Sequence, residues 1–446
     1  MIERIFLGAS DSGGPFWVAF YNVTMTIYQN TDVAGIAVDQ NLNVYFAATL
    51  VFNNTNRLVK LTRTGSIDWQ NQLTTANRFY NDVAVGGGRT QGKTISIDSS
   101  GDIYTRFKLY SGFSNNPWGS MKFTAAGAQT WSRQTPNEYF NGGFHSLNTA
   151  GNWFAVTMGG SGQVMVRIDN QSDGTSSKRF IISSTAGWVL RPCSFASNGP
   201  NWTSHFGYID RGGNGNWLYR QTWIGSSVVN HNTWGVDPAL GWTFLQGHDS
   251  ALGNDLETVM VGRSGSGFGG WVAKSPIMSQ AITWMRSFAS CQLDQVVVDS
   301  ANNVIVAGTI FSGSYPDSIF VAKLNSSGTV QWQRKMTISG YSALEAYNVA
   351  VDLNGNIYLG MNGQENSTST NKPIIAKLAG DGSGIGTSGI ITYSSHSATV
   401  NTSNFLVDVS GESQAGLTIT QSDLANDPFT NPFIPTSSTN TVVTLS

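Results

Sequence analysis

The chain has 446 residues and a formal net charge of −2, and 12% of its residues are charged, about half the usual share. The lack of a basic excess argues against nucleic-acid binding, and 2 cysteines are too few for a disulfide scaffold. With 40% apolar residues and 50 glycines, the composition instead favours short strands joined by tight turns rather than disorder.

The N-terminal segment, residues 1–33, contains no apolar run long enough for a signal peptide, and no stretch in the chain is long enough to span a membrane. We therefore expect synthesis in a host cytoplasm without an export signal. Pro15–Asn30 resembles the second half of a sheet module, because Trp17–Phe20 matches Trp271–Lys274. This match predicts a sheet completed by strands from both ends of the chain.

A hairpin module recurs along the chain. Each copy has an alternating apolar run, a polar turn and a second alternating run, which is typical of a β-hairpin. The copies are Ile36–Leu50, Ile95–Leu109, Ser146–Met158, Val296–Ile310 and Val349–Met361. An Asp before the turn can accept hydrogen bonds from backbone N–H groups within it.

A second module follows the hairpin and ends near a tryptophan. Its copies are Arg57–Trp69, Ser120–Trp131, Gly270–Trp284 and Ile319–Trp332. The two modules together give four strands, which is one propeller blade. Residues aligned with the hairpin Asp recur at a mean interval of about 52 residues: Asp39, Asp98, Asn148, Ala196, Asp249, Asp299 and Asp352.

These repeats predict an all-β fold, a β-propeller of four-stranded blades over residues 34–385. We expect seven blades, or eight if Thr392–Val409 supplies a further hairpin. Residues 386–446 form a Ser/Thr-rich, β-rich C-terminal extension. This tail is predicted to close the ring, to form a small extra sheet or to pair with another subunit, and the sequence leaves the three open.

Most candidate reactive residues have a structural explanation. Ser12 lies in a segment, Asp11–Pro15, that resembles a serine-protease nucleophile, but only eleven residues precede it. The turns after Asp39 and Asp352 alternate oxygen-bearing residues like a calcium loop, yet lack its distal Glu, so a self-capping turn is favoured. The five histidines show no metal-binding spacing.

Cys193 and Cys291 are interpreted as small buried hydrophobic residues, and their pairing is left open. We therefore expect no catalytic residue, no metal site and no cofactor, and predict that the chain is not an enzyme.

Three tryptophans fall outside the repeated position: Trp202, Trp223 and Trp242. Exposed aromatic rings among Asn and Gly can stack on sugars, so these three are the candidate carbohydrate-binding residues. Irregular core packing is the favoured alternative. The recurring Trp69, Trp131, Trp284 and Trp332 are predicted to fill the space between blades.

The modules resemble the seven-bladed beta-propeller (SBBP) repeat, with Asp299–Trp332 and Asp352–Leu378 as the best matches. Such repeats occur in secreted bacterial proteins and in virions of tailed bacteriophages. Phage proteins of this kind share a leaderless start, a strand with Trp-Val-Ala, a propeller and a Ser/Thr-rich tail. The resemblance therefore implies a virion protein of a phage tail.

We accordingly expect a structural and interaction component of a phage virion, a tail or tail-fibre protein that contacts the host surface. Its partners would be other tail proteins, copies of itself and host surface glycans, without nucleic acid or membrane insertion. The alternatives are a secreted or surface-displayed bacterial adhesion propeller that binds carbohydrate, and a propeller enzyme that degrades polysaccharide or uses a quinone cofactor.

Overall fold

The computed structural model describes most of the chain, and every element in the described part is a β-strand. The described residues are 2–8, 16–21, 31–50, 55–74, 77–78, 83–85, 88–90, 94–109, 118–134, 140–147, 152–159, 164–184, 189–198, 202–211, 216–224, 227–236, 245–264, 269–312, 315–409 and 417–423. The Asp11–Pro15 segment with Ser12 lies outside them. Within this part of the chain, no helix long and apolar enough to cross a membrane is found.

The N-terminal half contains two leading strands, three blades and a short insertion. The leading strands are β1 (Ile2–Gly8) and β2 (Phe16–Tyr21). Blade 1 consists of β3 (Thr31–Val38), β4 (Val44–Leu50), β5 (Thr55–Leu61) and β6 (Ile67–Thr74). The insertion holds β7 (Asn77–Arg78), β8 (Val83–Val85) and β9 (Gly88–Thr90). Blade 2 consists of β10 (Ile95–Ile97), β11 (Ile103–Leu109), β12 (Trp118–Phe123) and β13 (Gln129–Gln134). Blade 3 consists of β14 (Phe140–Leu147), β15 (Asn152–Gly159), β16 (Val164–Asn170) and β17 (Ser176–Ser184).

The remaining blades follow the same order. Blade 4 consists of β18 (Val189–Asn198), β19 (Trp202–Asp210), β20 (Trp217–Ile224) and β21 (Ser227–Val236). Blade 5 consists of β22 (Leu245–Leu252), β23 (Glu257–Ser264), β24 (Gly269–Pro276) and β25 (Trp284–Phe288). Blade 6 consists of β26 (Cys291–Val298), β27 (Val304–Ser312), β28 (Tyr315–Leu324) and β29 (Val330–Ile338). Blade 7 contains β30 (Tyr341–Val351), β31 (Ile357–Glu365) and β32 (Thr370–Leu378). The tail holds β33 (Gly386–Ser388), β34 (Ile391–Ser395), β35 (Val400–Asn401), β36 (Leu406–Asp408) and β37 (Leu417–Asp423).

The blades close into a ring through their first strands. Within each blade, consecutive strands pair antiparallel. The first strand of each blade contacts the first strand of the next, in the circle β3, β10, β14, β18, β22, β26, β30 and back to β3. These seven four-stranded sheets form a β-propeller, which confirms the predicted fold class with seven blades among the described residues.

Strand β2 supplies the fourth strand of blade 7. It pairs antiparallel with β32, with Trp17 opposite Lys377 and Val18 opposite Ala376. Strand β1 then pairs with β2 on the outside of the same sheet. The N-terminal segment therefore contributes the fourth strand and an additional fifth strand to blade 7, whereas Trp271–Lys274, which it resembles, lies in β24, the third strand of blade 5.

The tail runs around the outside of the ring. Strand β34 pairs with the last strand of blade 6 and β35 with that of blade 5. Strand β36 then pairs with the last strand of blade 4, and β37 with that of blade 3. The tail thus visits four blades in reverse chain order and adds a strand to the outer edge of each one.

The core lies between neighbouring blades. Ile305 and Val321 of blade 6, for example, belong to one buried cluster with Leu359 of blade 7. Full burial of such a side chain contributes about 1.5–3 kcal/mol. Because each sheet is apolar on both faces, a blade is stable only when it packs between two others. In the closed ring, each of the seven blades has two such neighbours.

Candidate functional site at the inner rim of the ring

A β-bulge shapes the inner wall of the ring. The register between the first and second strands shifts by one residue in six of the seven blades, so that an extra residue stands at Ala34, Gly142, Cys193, His248, Asp294 and Tyr347. A bulge redirects the side chain of its extra residue. In blades 4, 5 and 6 it therefore places a thiol, an imidazole and a carboxylate at equivalent positions.

Two of these side chains bond the next blade. Cys193 Sγ lies 2.9 Å from the carbonyl oxygen of Gly247, and His248 Nδ1 lies 2.9 Å from that of Leu293. Gly247 and Leu293 each precede the bulge residue of their own blade. The bulge side chains of blades 4 and 5 therefore each connect their blade to the next one, which is a structural role.

The thiol of Cys193 is unsuited to nucleophilic chemistry. Its side chain is fully buried, and burial raises the pKa of the thiol well above its ordinary value. Cys291 is also buried, and both cysteines are free. They thus behave as the small hydrophobic residues that the sequence predicts, and no disulfide joins them.

A polar network joins blades 5 and 6 at the start of their first strands. Arg263 donates from Nε to Gln246 Oε1 (2.6 Å) and from Nη1 to Gln292 Oε1 (3.3 Å). Gln292 Nε2 donates to Asp294 Oδ1 at 2.5 Å. The same Asp294 oxygen lies 3.0 Å from His248 Nδ1. These five side chains, here called the rim network, fix one guanidinium and one imidazole at the inner wall.

The sequence analysis did not identify the rim network. Gln246 and His248 stand two residues apart, as do Gln292 and Asp294, each pair at the start of a first strand. A Gln followed two residues later by His or Asp, near the start of two first strands, was the available signal. The bulge that aligns them appears only in the strand register.

The opposite end of the ring is lined mainly by aliphatic side chains. A cavity of about 340 Å³ is lined by the final residues of six first strands, among them Ile36, Ile97, Val298 and Val351. The central channel therefore has an aliphatic end and, where β22 and β26 begin, a polar end. The rim network lies at the polar end, where Gln246, His248 and Asp294 are buried.

The aspartate turns are self-capped. Asp39 Oδ1 accepts the backbone N–H groups of Asn41 (2.8 Å) and Asn43 (2.9 Å), and Asp352 does the same for Asn354 and Asn356. Its second oxygen accepts the hydroxyl of Tyr358 at 3.0 Å. In this conformation the turn itself occupies the carboxylate oxygens. Among the described residues, no group of three or more His, Cys, Asp or Glu side chains could hold a metal.

The repeat position assigned to Asp249 needs correction. Asp249 lies within β22 and is buried, and its Oδ2 accepts the backbone N–H of Val296 at 3.0 Å. The blade 5 turn is closed instead by the backbone bond from Gly253 N to Glu257 O, equivalent to the bond from Asp39 N to Asn43 O. The repeat spacing alone therefore placed the turn too early.

The recurring tryptophans fill the space between blades. The ring of Trp69 in blade 1 faces Gly127 in the third turn of blade 2, and its Nε1 donates to the carbonyl of Ala125. A Cβ at each facing glycine would approach the ring closely. The pairs are Trp17–Gly65, Trp69–Gly127, Trp131–Gly174, Trp284–Gly328 and Trp332–Gly382.

Of the three candidate carbohydrate-binding tryptophans, the two in the described part of the chain do not form an exposed patch. Trp202 begins β19 and is half-buried. Trp223 is fully buried, in a cluster with Phe195 and Tyr219, and so presents no ring face to a sugar. Trp242 lies outside the described residues. A sugar-binding role for Trp202 stays a prediction, whereas the burial of Trp223 fits core packing.

Two histidines, the buried His205 and the half-buried His231, lie in blade 4. His205 pairs across the sheet with Gln221, which pairs with His231. Burial lowers the pKa of His205 to about 3 and that of His231 to about 4. Both imidazoles are therefore neutral near pH 7.

Comparison with known proteins shows similarity in fold alone. No protein-family model matches the chain, and no curated protein matches it. Among solved structures, a prolyl endopeptidase is similar at 10% identity with a TM-score of 0.44, over 78% of this chain and 50% of the endopeptidase. The chain thus spans half the length of that enzyme.

Two viral structures are also similar. A subtype N10 neuraminidase-like protein of A/little yellow-shouldered bat matches at 9% identity and a TM-score of 0.39, over 63% of this chain and 93% of that chain. A subtype N11 neuraminidase-like protein of A/flat-faced bat matches at 10% identity and a TM-score of 0.39, over 64% and 87%.

The prediction that the chain is not an enzyme is corrected by these comparisons. A prolyl endopeptidase is among the proteins to which the chain is similar. Propellers carry unrelated functions, so neither this fold nor the sparse charges of the sequence exclude catalysis.

Proposed function

We propose that the chain is an interaction component of a phage virion, a tail or tail-fibre protein that contacts other tail proteins or the host surface. The finer identification as a seven-bladed beta-propeller (SBBP) repeat protein of phage origin belongs to this proposal. It is supported by the repeat pattern, which Asp299–Trp332 represents best.

The observation that carries the proposal is the coverage of the outer edges. Unpaired edge strands invite association with other sheets. Here β1 covers blade 7 and β34 to β37 cover blades 6 to 3, so the chain occupies these edges with its own strands. The surfaces left for specific partners are then the two faces of the ring, formed by turns, and the outer edges of blades 1 and 2, to which no described strand is added.

A rigid ring suits attachment by many weak contacts. Several copies on one particle would raise the effective concentration of each binding surface, so that modest individual affinities give firm attachment. The rigid ring contributes to attachment by holding its loops in a fixed arrangement.

The test is to locate the chain. Purified phage particles from the source of the gene should contain it by mass spectrometry, and antibodies against the ring should label the tail in electron micrographs. The isolated ring should also compete with particles for adsorption to host cells. Its absence from particles, together with its presence on the bacterial surface or in the medium, would support the adhesion propeller instead.

A further inference from the structure

Arg263 bonds to two glutamine side chains within the rim network. Its guanidinium is half-buried at the end of β23 and bridges to the first strand of blade 6. Both of its described hydrogen-bond partners are neutral amide oxygens, those of Gln246 and Gln292. Among the described residues it forms no salt bridge.

The carboxylate of the network is already engaged. Asp294 Oδ1 accepts from Gln292 and lies within hydrogen-bond distance of His248. In the part of the chain that the structure describes, no atom accepts a hydrogen bond from Arg263 Nη2, on one side of its planar fork. Two glutamines hold that fork in place, which reduces the conformational entropy that binding would cost.

We propose that Arg263 binds the carboxylate of an acidic saccharide at the polar end of the channel. A carboxylate matches the planar fork and would supply the charge that the amide oxygens do not. The glutamines act as positioning residues. This inference deepens the proposed function, because it names the chemistry of the host-surface ligand, and it rests on that function for the choice of a saccharide.

The test is calorimetric titration of the full chain with trigalacturonate and with its carboxyl-reduced counterpart. We expect binding of the acidic trisaccharide, at least tenfold weaker binding of the neutral one, and weaker binding as salt is added. Arg263→Gln should weaken trigalacturonate binding at least tenfold, since it removes the charged hydrogen bonds to the carboxylate. Arg57→Gln is the matched control, because Arg57 is also half-buried and donates to a glutamine oxygen, that of Gln70.

A second variant keeps the test valid if Arg263→Gln folds poorly. Gln246→Glu places a carboxylate beside the intact guanidinium and should weaken trigalacturonate binding at least tenfold while the melting temperature holds or rises. A purely structural network would leave binding unchanged in this variant. Equal binding of both trisaccharides, no binding of either, or full binding by folded Arg263→Gln overturns the inference. None of these results bears on whether the chain is found in particles, so the two proposals fail separately.

Discussion

Single residues set the spacing between blades. Gly127 has φ +86° and faces the ring of Trp69, and a Cβ there would lie 3.1 Å from ring carbons. Glycine is therefore required at this position for two reasons: the backbone conformation and the close contact with the indole ring. Gly355 has a similar φ of +81° but no heavy atom within 4 Å of the same position.

This pair separates the two requirements. Gly355→Ala should cost about 1–2 kcal/mol, the usual strain of a left-handed residue. Gly127→Ala should cost a further 1–3 kcal/mol, on the order expected for overpacking against the indole. Urea unfolding of both variants measures the difference. Equal losses would show that the Trp–Gly contact adds nothing.

The two histidines of blade 4 predict a dependence of stability on pH. Between pH 6.5 and about 4, the unfolded chain binds protons that the folded chain excludes, because burial lowers the pKa of His205 to about 3 and of His231 to about 4. Stability attributable to these groups is therefore complete above pH 6.5 and falls as the pH decreases. At pH 5 the loss should be roughly 2 kcal/mol per histidine.

The measurement is the free energy of unfolding from pH 7.5 to 4.5. A variant with His205→Asn and His231→Asn should show a shallower decline than the unaltered chain, and the difference isolates these two groups from the carboxylates. Parallel curves would contradict the neutral state of the two imidazoles.

At the scale of elements, the aspartate turn is a self-contained unit. Asp352 holds two backbone N–H groups, the Asn356 amide and the Tyr358 hydroxyl. Equivalent bonds form around Asp39, where the side-chain partners are Asn43 and Tyr45. One carboxylate thus fixes the turn and ties it to the second strand of its blade.

Asp352→Ala should accordingly destabilise the protein by roughly 3 kcal/mol, because several buried donors lose their acceptor. Asp381→Ala is the control. Asp381 caps the backbone N–H of Ser383 in an exposed turn, and its loss should cost about 1 kcal/mol or less. Thermal unfolding compares the two, and similar losses would argue against the turn as a folding unit.

The sequence predicted the elements that are determined by local residue patterns. Hairpins, turns and the Trp positions follow from alternation, from Asp and from Gly, so the blades were recognisable. Trp17 was aligned with Trp271 because both precede Val-Ala, whereas the structure places it opposite Lys377, as Trp69 stands opposite Lys60. Whether Trp17 takes the position of Trp271 or that of Trp69 in its blade depends on pairing between the two chain ends, which no local pattern contains.

The bulges, the pairing of the tail strands and the rim network were not predicted, because they also depend on pairing that no local pattern contains. A bulge adds one residue and leaves the alternation on either side intact. The tail strands alternate like any strand, and their partners lie far away in the chain. The rim network required both the bulges and the neighbouring blade, so its residues could not be grouped from the sequence.

At the scale of the whole molecule, the tail completes the sheets. Ile391 and Tyr393 are buried against blade 6, and Gln333 Nε2 donates to Ala398 O while its Oε1 accepts from Ala398 N. Main-chain bonds give such an added strand its affinity. The tail therefore both buries apolar surface and satisfies outer edges.

Truncation before β33 should make the ring associate. A chain ending at residue 385 would expose four outer edges, and we expect concentration-dependent oligomers and a lower melting temperature. A chain ending at Asp423 retains β34 to β37 and serves as the control. Sedimentation velocity compares them. A monomeric, equally stable chain of 385 residues would contradict the edge-covering role.

The central claim is that the N-terminal strand β2 closes a seven-bladed ring against β32. Ala19 stands opposite Ile375, so Ala19→Cys with Ile375→Cys should form a disulfide in the folded protein, detected by non-reducing electrophoresis and intact mass. Ala19→Cys with Ile374→Cys, whose side chains point to opposite faces, should not. Efficient cross-linking of the first pair alone is the expected result. If that pair fails to cross-link in the folded protein, or if both pairs cross-link equally, the closed ring is contradicted.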